Sequence, residues 1–216
     1  MAQTSLPFNP PKVIHNHVGG MAHCPLFQEL PPSLQFQCQT QRHLLDYLHW
    51  LPVEKIGVPQ YHDKPTMALR QLKHPNLIYP SEDGLFVHIY SNRQDIRNHY
   101  ISIEPSFGVD IDPLLQAIDQ RLLDFIHPID EIDTPDNRKQ ALVSCIDQIL
   151  SVRQDGDNQD GYLYKLRCLL FNYKGKTQIR IDPHEYTAIR YRVMRDKSGL
   201  DVLEPLIRDE YIEDIS

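Results

Sequence analysis

The sequence lacks any long hydrophobic run. No stretch of about 18 consecutive apolar residues occurs, so no segment has the composition of a membrane-spanning helix. Residues 1–20 contain prolines and polar side chains where a signal peptide would need an apolar core. These two absences indicate a cytoplasmic protein.

Cysteine is also scarce, with four residues in the chain and no CxxC pair. In a cytoplasmic protein such thiols are reduced and lie buried or half-buried. The amino-terminal part does gather side chains that zinc prefers, namely His15, His17, His23 and Cys24. Their spacing is not that of a zinc finger, and Gly19-Gly20 interrupts the segment. We therefore expect a flexible polar leader without a metal, and a small zinc-binding protein is the alternative.

The charge balance is acidic. The chain has 29 acidic and 22 basic side chains, for a net charge of −7, and 41% of its residues are hydrophobic. The hydrophobic share is typical of a globular domain with a real core. Because phosphate backbones bind clustered Lys and Arg, this balance argues against nucleic acid as a main partner.

A nucleotide-binding P-loop is missing. Gly175-Lys176-Thr177 matches the end of that motif, but Leu170 stands where its first glycine is required. The bulky residues 171–174 (FNYK) cannot wrap closely around a phosphate. No set of side chains suited to nucleophilic or acid–base catalysis stands out either. We expect no catalytic residue, no cofactor and no ATP hydrolysis in this chain alone.

Periodicity and turn residues predict an α+β fold, a small and mainly antiparallel sheet packed with about three to five helices. Apolar residues at helical spacing predict a helix over 39–51. Residues rich in β-branched and aromatic side chains predict strands over 85–90 and 98–103, and alternation predicts another over 177–181. Helix start signals containing proline precede three further helices, at Asp112-Pro113, Thr134-Pro135 and Asp182-Pro183.

Composition suggests a division into four parts. Residues 1–20 form a disordered leader, and 21–153 an amino-terminal α+β domain with a helix pair. Residues 154–161 (QDGDNQDG) have two glycines and no apolar side chain, as expected of a linker. Residues 162–216 then form a helix–turn–strand segment.

The last part of the chain carries a resemblance to a known family. Residues 199–206 read GLDVLEPL, and residues 207–216 read IRDEYIEDIS. This resembles the segment just before the motor domain in the secretion ATPases of the archaellum, type IV pilus and tight-adherence systems. The strands and helix pair upstream occur in a similar order, so the resemblance covers about residues 75–216.

The residues of this segment also predict its conformation. Gly199 is expected to end the preceding helix by a left-handed turn. Glu204-Pro205 predicts an extended kink, since the residue before proline is biased away from the helical region. Leu203, Leu206 and Ile207 should form an apolar patch. Ile212 and Ile215 should dock on a sheet, with Glu213 and Asp214 facing outward.

The resemblance implies a non-catalytic regulatory and assembly domain at the amino terminus of a hexameric ATPase. Its implied partners are the chain's own carboxyl-terminal ATPase domain, neighbouring subunits and a polytopic inner-membrane platform protein. The protein would lie peripherally at the cytoplasmic face of the membrane, and ATP and Mg²⁺ would be bound by the full-length parent. The residues implied in contact with the motor are Gly199, Glu204, Pro205, Leu206, Asp209, Ile212, Glu213 and Asp214.

Two arginines within the resembling segment, Arg195 and Arg208, are candidates for contact with the nucleotide phosphates of the motor. The ordinary interpretation of both is a solvated surface. The alternative to the whole assignment is a free-standing adaptor of such a machine. A reading frame that continues past Ser216 into a P-loop would exclude the adaptor.

Overall fold

In a computed structural model of the chain, the structure describes residues 6–9, 21–66, 69, 71–91, 97–123, 134–152 and 178–212. The predicted linker, the Gly175-Lys176-Thr177 sequence and most of the leader lie outside these ranges. No helix in the described part of the chain is long and apolar enough to cross a membrane.

The chain forms two compact units. The first contains Met1–Gly108 together with Pro205–Ser216, and the second contains Val109–Glu204. This division differs from the predicted one, which placed the helix pair in the first domain and the last residues in the second. The helix pair shares a core with residues of the following strands and helix, whereas the last residues pack on the sheet of the first unit.

The helices of the first unit are short and separated by prolines or turns. They are α1 (Pro25–Glu29), α2 (Pro32–Thr40), α3 (Arg42–Trp50) and α4 (Val53–Ile56). The single helix predicted over 39–51 is therefore wrong at its start, because Gln41 leaves the helical region with φ −128° and ψ 88° and separates α2 from α3. The apolar spacing was correct for α3, whose Leu44, Leu45 and Leu48 are fully buried.

Four strands follow in the order β1-β2-β3-β4. They are β1 (Gln60–Tyr61), β2 (Asn76–Pro80), β3 (Phe86–Ser91) and β4 (Asn98–Ile103). β1 pairs with β2 in parallel, and the other pairs are antiparallel. The predicted strands at 85–90 and 98–103 are confirmed as β3 and β4. β2 was missed because Pro75 and Pro80 bracket it.

The two faces of this sheet are covered differently, as the two-residue alternation of strands requires. Ile78, Phe86 and Ile103 face one core, which also contains the buried residues of α1 to α3. Leu77, Tyr79 and Val87 form a second, smaller cluster on the other face. Tyr211, from the end of the chain, packs against that second cluster.

The second unit is built on a helix pair and a two-stranded parallel sheet. Its elements are α5 (Asp112–Leu122), α6 (Pro135–Ile149), β5 (Leu150–Val152), β6 (Ile179–Ile181) and α7 (Pro183–Ser198). Leu150 lies opposite Ile179 in the strand register. Ile118, Ile146, Ile181 and Ile189 are fully buried in one core. The three predicted helices that start with proline are confirmed.

A last helix, α8 (Glu204–Ile207), follows a 3-10 turn at Asp201–Leu203. Two further 3-10 turns lie at Met21–His23 and Glu82–Gly84. The fold is α+β, as predicted. The described ranges contain eight α-helices, more than the three to five expected, because several are too short to show a periodic pattern.

Candidate functional site in the carboxyl-terminal segment

The segment that carries the resemblance begins at the end of α7. That helix starts with a capping box, in which the Asp182 N–H donates to Glu185 Oε2 over 3.0 Å. Near its other end, Arg195 is only 7% exposed. Its Nε donates to Asp196 Oδ1 over 2.8 Å, and its Nη2 donates to Asp201 Oδ1 over 3.2 Å. The guanidinium is therefore held by two carboxylates of its own segment.

Gly199 is required by close packing and not by a left-handed turn. Its φ is −101°, so the predicted left-handed conformation is wrong, and Asp201 has the positive φ of 52° instead. Asp tolerates this region better than most residues. A Cβ at Gly199 would lie 2.6 Å from Glu204 Oε2 and 2.8 Å from the Arg195 carbonyl oxygen. A side chain at this position therefore collides with backbone as well as with Glu204.

Glu204 explains that close approach. It is 6% exposed, and its Oε2 accepts a hydrogen bond from the Leu200 N–H over 2.8 Å. Its backbone is helical, with φ −54° and ψ −44°, so the predicted extended kink at Glu204-Pro205 is wrong. The reason is that proline is accepted in the first turn of a helix, where its missing N–H has no partner to lose.

Asp209 is the most deeply buried acid of the segment, at 2% exposure. Its Oδ2 accepts the Tyr79 hydroxyl over 2.7 Å and the Tyr100 hydroxyl over 2.9 Å. Its Oδ1 accepts the Tyr211 N–H over 3.0 Å. A carboxylate that receives three donors is satisfied inside the protein, and it fastens the end of the chain to β2 and β4.

Two more contacts secure the same segment. The Ser81 hydroxyl donates to the Arg208 carbonyl oxygen over 3.2 Å. The Tyr211 ring meets the Tyr79 ring edge to face, with centroids 5.6 Å apart. Burial, followed by the hydrogen bond to Asp209, raises the pKa of Tyr79 above its ordinary value. Tyr79 therefore stays a neutral donor to Asp209 at physiological pH.

The apolar side chains of the segment face solvent to an unusual degree. Leu200, Val202, Leu203 and Ile207 are between 50% and 63% exposed. Leu206 and Ile212 are half-buried, and Pro205 is buried. Since Glu204 and Asp209 point inward, the segment holds two of its acids inside the fold and leaves four apolar side chains outside.

Other predicted residues are placed as follows. Arg208 is half-buried. His23 is exposed, Cys24 is buried, and Cys24 Sγ lies 3.2 Å from Nε2 of the buried His49. Within the residues that the structure describes, no group of three or more potential metal ligands occurs. His15, His17, Glu213 and Asp214 lie outside the described residues.

Sequence reasoning missed the tyrosines that hold the segment. Tyr79 pairs with Val87, and Tyr100 pairs with Ile89, so both tyrosines lie on one face of the sheet. The signal available beforehand was a tyrosine in each of two strand-like stretches. Which buried acid they would bind depended on a contact 130 positions away, which no local pattern reveals.

Comparison with known proteins finds a distant similarity. The chain is 26% identical over 174 residues to an uncharacterized protein, MJ0900, of Methanocaldococcus jannaschii. The match covers 80% of this chain and 30% of that protein, so the chain spans less than a third of the relative's length. No family model matches, and no solved structure matches significantly.

Proposed function

We propose that this chain is the non-catalytic amino-terminal domain of a hexameric secretion or pilus-assembly ATPase. In this role it couples ATP turnover in a carboxyl-terminal motor to a membrane platform protein. The motor binds ATP and Mg²⁺, and the domain lies in the cytoplasm at the membrane face.

The main support for the proposal is the set of contacts that hold residues 199–209 in place. Gly199 and Glu204 fix the end of α7, and Asp209 fixes the following residues to the sheet. An ordered segment presents its side chains to a partner in one arrangement, which a flexible linker does not. Leu200, Val202 and Leu203 remain exposed, and exposed apolar side chains are typical of an interface with another domain or subunit.

The size of the relative supports the same proposal. The matched stretch is 30% of the relative's length, so most of that protein lies outside it. A domain of this kind would thus occur within a longer protein in at least one organism. This is the arrangement expected of a module attached to a motor.

Both candidate arginines already have interactions within the folded chain. Arg195 would have to give up Asp196 and Asp201 before it could bind a phosphate. Arg208 is half-buried, its carbonyl oxygen accepts from Ser81, and it has a further interaction within the fold. Both arginines stay candidates for contact with the phosphates of a neighbouring motor, since a guanidinium binds phosphate through two parallel hydrogen bonds.

The first test is genetic and enzymatic. The reading frame past the codon for Ser216 is expected to encode a P-loop, and the protein it encodes is expected to hydrolyse ATP as a hexamer. This chain alone is expected to show no ATP turnover. Turnover by the isolated chain that Lys176→Ala abolishes would contradict the proposal. A frame that ends without a P-loop would favour the free-standing adaptor.

The second test addresses the exposed apolar residues in the longer protein. Leu203→Asp is expected to lower ATPase activity and weaken hexamer formation, because a charge would be buried at a subunit or domain interface. Phe36→Asp, at a similarly exposed position of α2, is the matched control and should leave both unchanged. ATPase activity and molecular mass in solution are measured for both variants. Equal effects of the two substitutions would contradict the proposed interface.

A further inference from the structure

A groove opens on the first unit, away from the residues discussed so far. Its volume is about 790 Å³, within the range of roughly 300–1,000 Å³ that small-molecule sites occupy. The groove lies where α4, the start of β2 and the end of β3 come together. Its walls include Phe8, Lys55, His74, Asn76, Tyr90 and Ser91.

Among the described residues that line it, the groove offers hydrogen-bond donors and no acid. Lys55 and His74 are both exposed, and Lys55 has no ion-pair partner among the residues that the structure describes. His74 Nδ1 lies 3.5 Å from the Ser91 hydroxyl. None of the described residues lining the groove is Asp or Glu, although the chain as a whole carries a net charge of −7. The local balance of charge therefore favours an anion.

An aromatic wall stands beside these donors. The Tyr90 ring meets the Phe8 ring edge to face, with centroids 6.0 Å apart. Tyr90 also contacts the His88 ring at 5.9 Å, and it stacks on the His99 ring at 6.4 Å. Rings held on several sides keep their orientation, so Tyr90 presents a fixed apolar surface to a ligand.

The floor of the groove is fixed by a chain of buried and half-buried hydrogen bonds. Asn76 Nδ2 donates to the Ile56 carbonyl oxygen over 2.8 Å, which ties β2 to α4. Asn76 Oδ1 accepts His88 Nε2–H over 2.9 Å, and His88 Nδ1 accepts the Tyr47 hydroxyl over 2.6 Å. This chain of bonds runs from the groove into α3. The site is thus formed before any ligand arrives, which lowers the entropic cost of binding.

We propose that this groove binds a small, freely diffusing phosphate monoester with a flat or apolar body. Lys55, His74 and Ser91 bind the phosphate oxygens, since an ammonium group, an imidazole and a hydroxyl suit an acceptor with three oxygens. The body of the ligand lies on Tyr90 and Phe8. The site is independent of the proposed contact with a motor domain, because it uses none of residues 195–214.

The probe is phenyl phosphate, titrated into the chain by isothermal calorimetry. Saturable binding is expected with a dissociation constant on the order of 1 mM or tighter, given the small size of the probe. Lys55→Ala and His74→Ala are each expected to weaken binding about ten-fold, the effect of losing one charge-assisted hydrogen bond. Lys64→Ala removes another exposed positive charge, outside the groove, and should leave binding unchanged.

Titrations with other ligands test whether the groove recognises both the phosphate and the apolar body of the ligand. Benzoate and inorganic phosphate are each expected to bind at least several-fold more weakly than phenyl phosphate, because each lacks half of the recognised chemistry. Absence of saturable binding, or equal weakening by Lys55→Ala and Lys64→Ala, would overturn the proposal. Binding only to vesicles of phosphatidylcholine containing phosphatidic acid would also overturn it, since the phosphate would then belong to a membrane. Unchanged thermal unfolding of the two groove variants verifies that they fold.

Discussion

The hydroxyl of Tyr79 donates to Oδ2 of Asp209 over 2.7 Å, joining two residues that are 130 positions apart in the chain. Tyr79 belongs to β2 of the first unit, and Asp209 belongs to the residues that return to that unit after the second is complete. The second unit is thus inserted, in sequence, between two parts of the first. The first unit is incomplete without the end of the chain.

The contact between Tyr79 and Asp209 predicts a large effect of Asp209→Ala. The substitution removes one hydrogen-bond acceptor from each of three donors, namely the Tyr79 hydroxyl, the Tyr100 hydroxyl and the Tyr211 N–H. Loss of these three hydrogen bonds costs about 2–4 kcal/mol together in the free energy of unfolding. Urea unfolding followed by tyrosine fluorescence measures this change. Glu54→Ala, which removes an exposed acid of the same unit, is the control and should change stability by less than about 0.5 kcal/mol. Similar values for the two variants would contradict the structural role of Asp209.

A second prediction concerns Gly199→Ala. The added Cβ would lie 2.8 Å from the Arg195 carbonyl oxygen, and a backbone atom cannot move aside cheaply. We expect the second unit to lose about 1–3 kcal/mol of stability, the usual cost of overpacking. Lys197→Ala, two positions earlier, removes only an exposed ion pair with Asp119 and should cost less than about 1 kcal/mol. Thermal unfolding measures the stability of both variants. Equal melting temperatures of the two would contradict the close packing at Gly199.

Local patterns predicted the regular elements better than they predicted the candidate site. β3 and β4 are rich in β-branched and aromatic residues and lack proline. Three helices start at an acid or threonine followed by proline, so neighbouring residues alone specify all these elements. Gln41 shows the limit of this reasoning. No proline or glycine stands near it, and only the packing of α2 and α3 shows that two helices meet there.

The candidate site depends on contacts between distant residues, which explains why its details were missed. Glu204-Pro205 suggested an extended kink, yet the Glu204 backbone is helical and its side chain folds back onto the Leu200 N–H. A glycine after a helix usually signals a left-handed turn, but here it makes room for that carboxylate. The close approach of Gly199 and Glu204 depends on the folded structure, so no local sequence pattern predicts it.

A third prediction follows from His88, which is fully buried and bound on both ring nitrogens by Tyr47 and Asn76. Burial lowers the pKa of His88 to about 3 in the folded state, from an ordinary value near 6.5. Between these two values the unfolded chain binds a proton that the folded chain does not. The free energy of unfolding should therefore fall with decreasing pH between about 6.5 and 3, by about 1 kcal/mol per pH unit from this residue.

His88→Leu tests that assignment. It should lower stability at pH 7 by about 2–4 kcal/mol, because the Tyr47 hydroxyl and Asn76 Oδ1 lose their partner. It should also remove the contribution of His88 to the acid dependence, so the variant and the parent should converge as the pH falls. Urea unfolding at pH 7 and pH 5 measures both effects, with His74→Ala as an exposed-histidine control. A constant difference between variant and parent at the two pH values would contradict the prediction.

The last prediction concerns the reactivity of Cys38. The side chain is fully buried, and burial, with smaller effects from Asp46 and Cys24, raises the pKa of its thiol to about 12. Only the thiolate reacts with alkylating reagents, so at pH 8 the folded protein should label at Cys38 about a thousand-fold more slowly than a free thiol does. Mass spectrometry of iodoacetamide-treated protein, digested after quenching, follows this residue separately from the other cysteines. Labelling in urea should be complete within minutes and serves as the control, since unfolding restores both access and an ordinary pKa. Labelling of folded Cys38 at the rate of the unfolded chain would show that α2 does not pack against α3 as the structure has it.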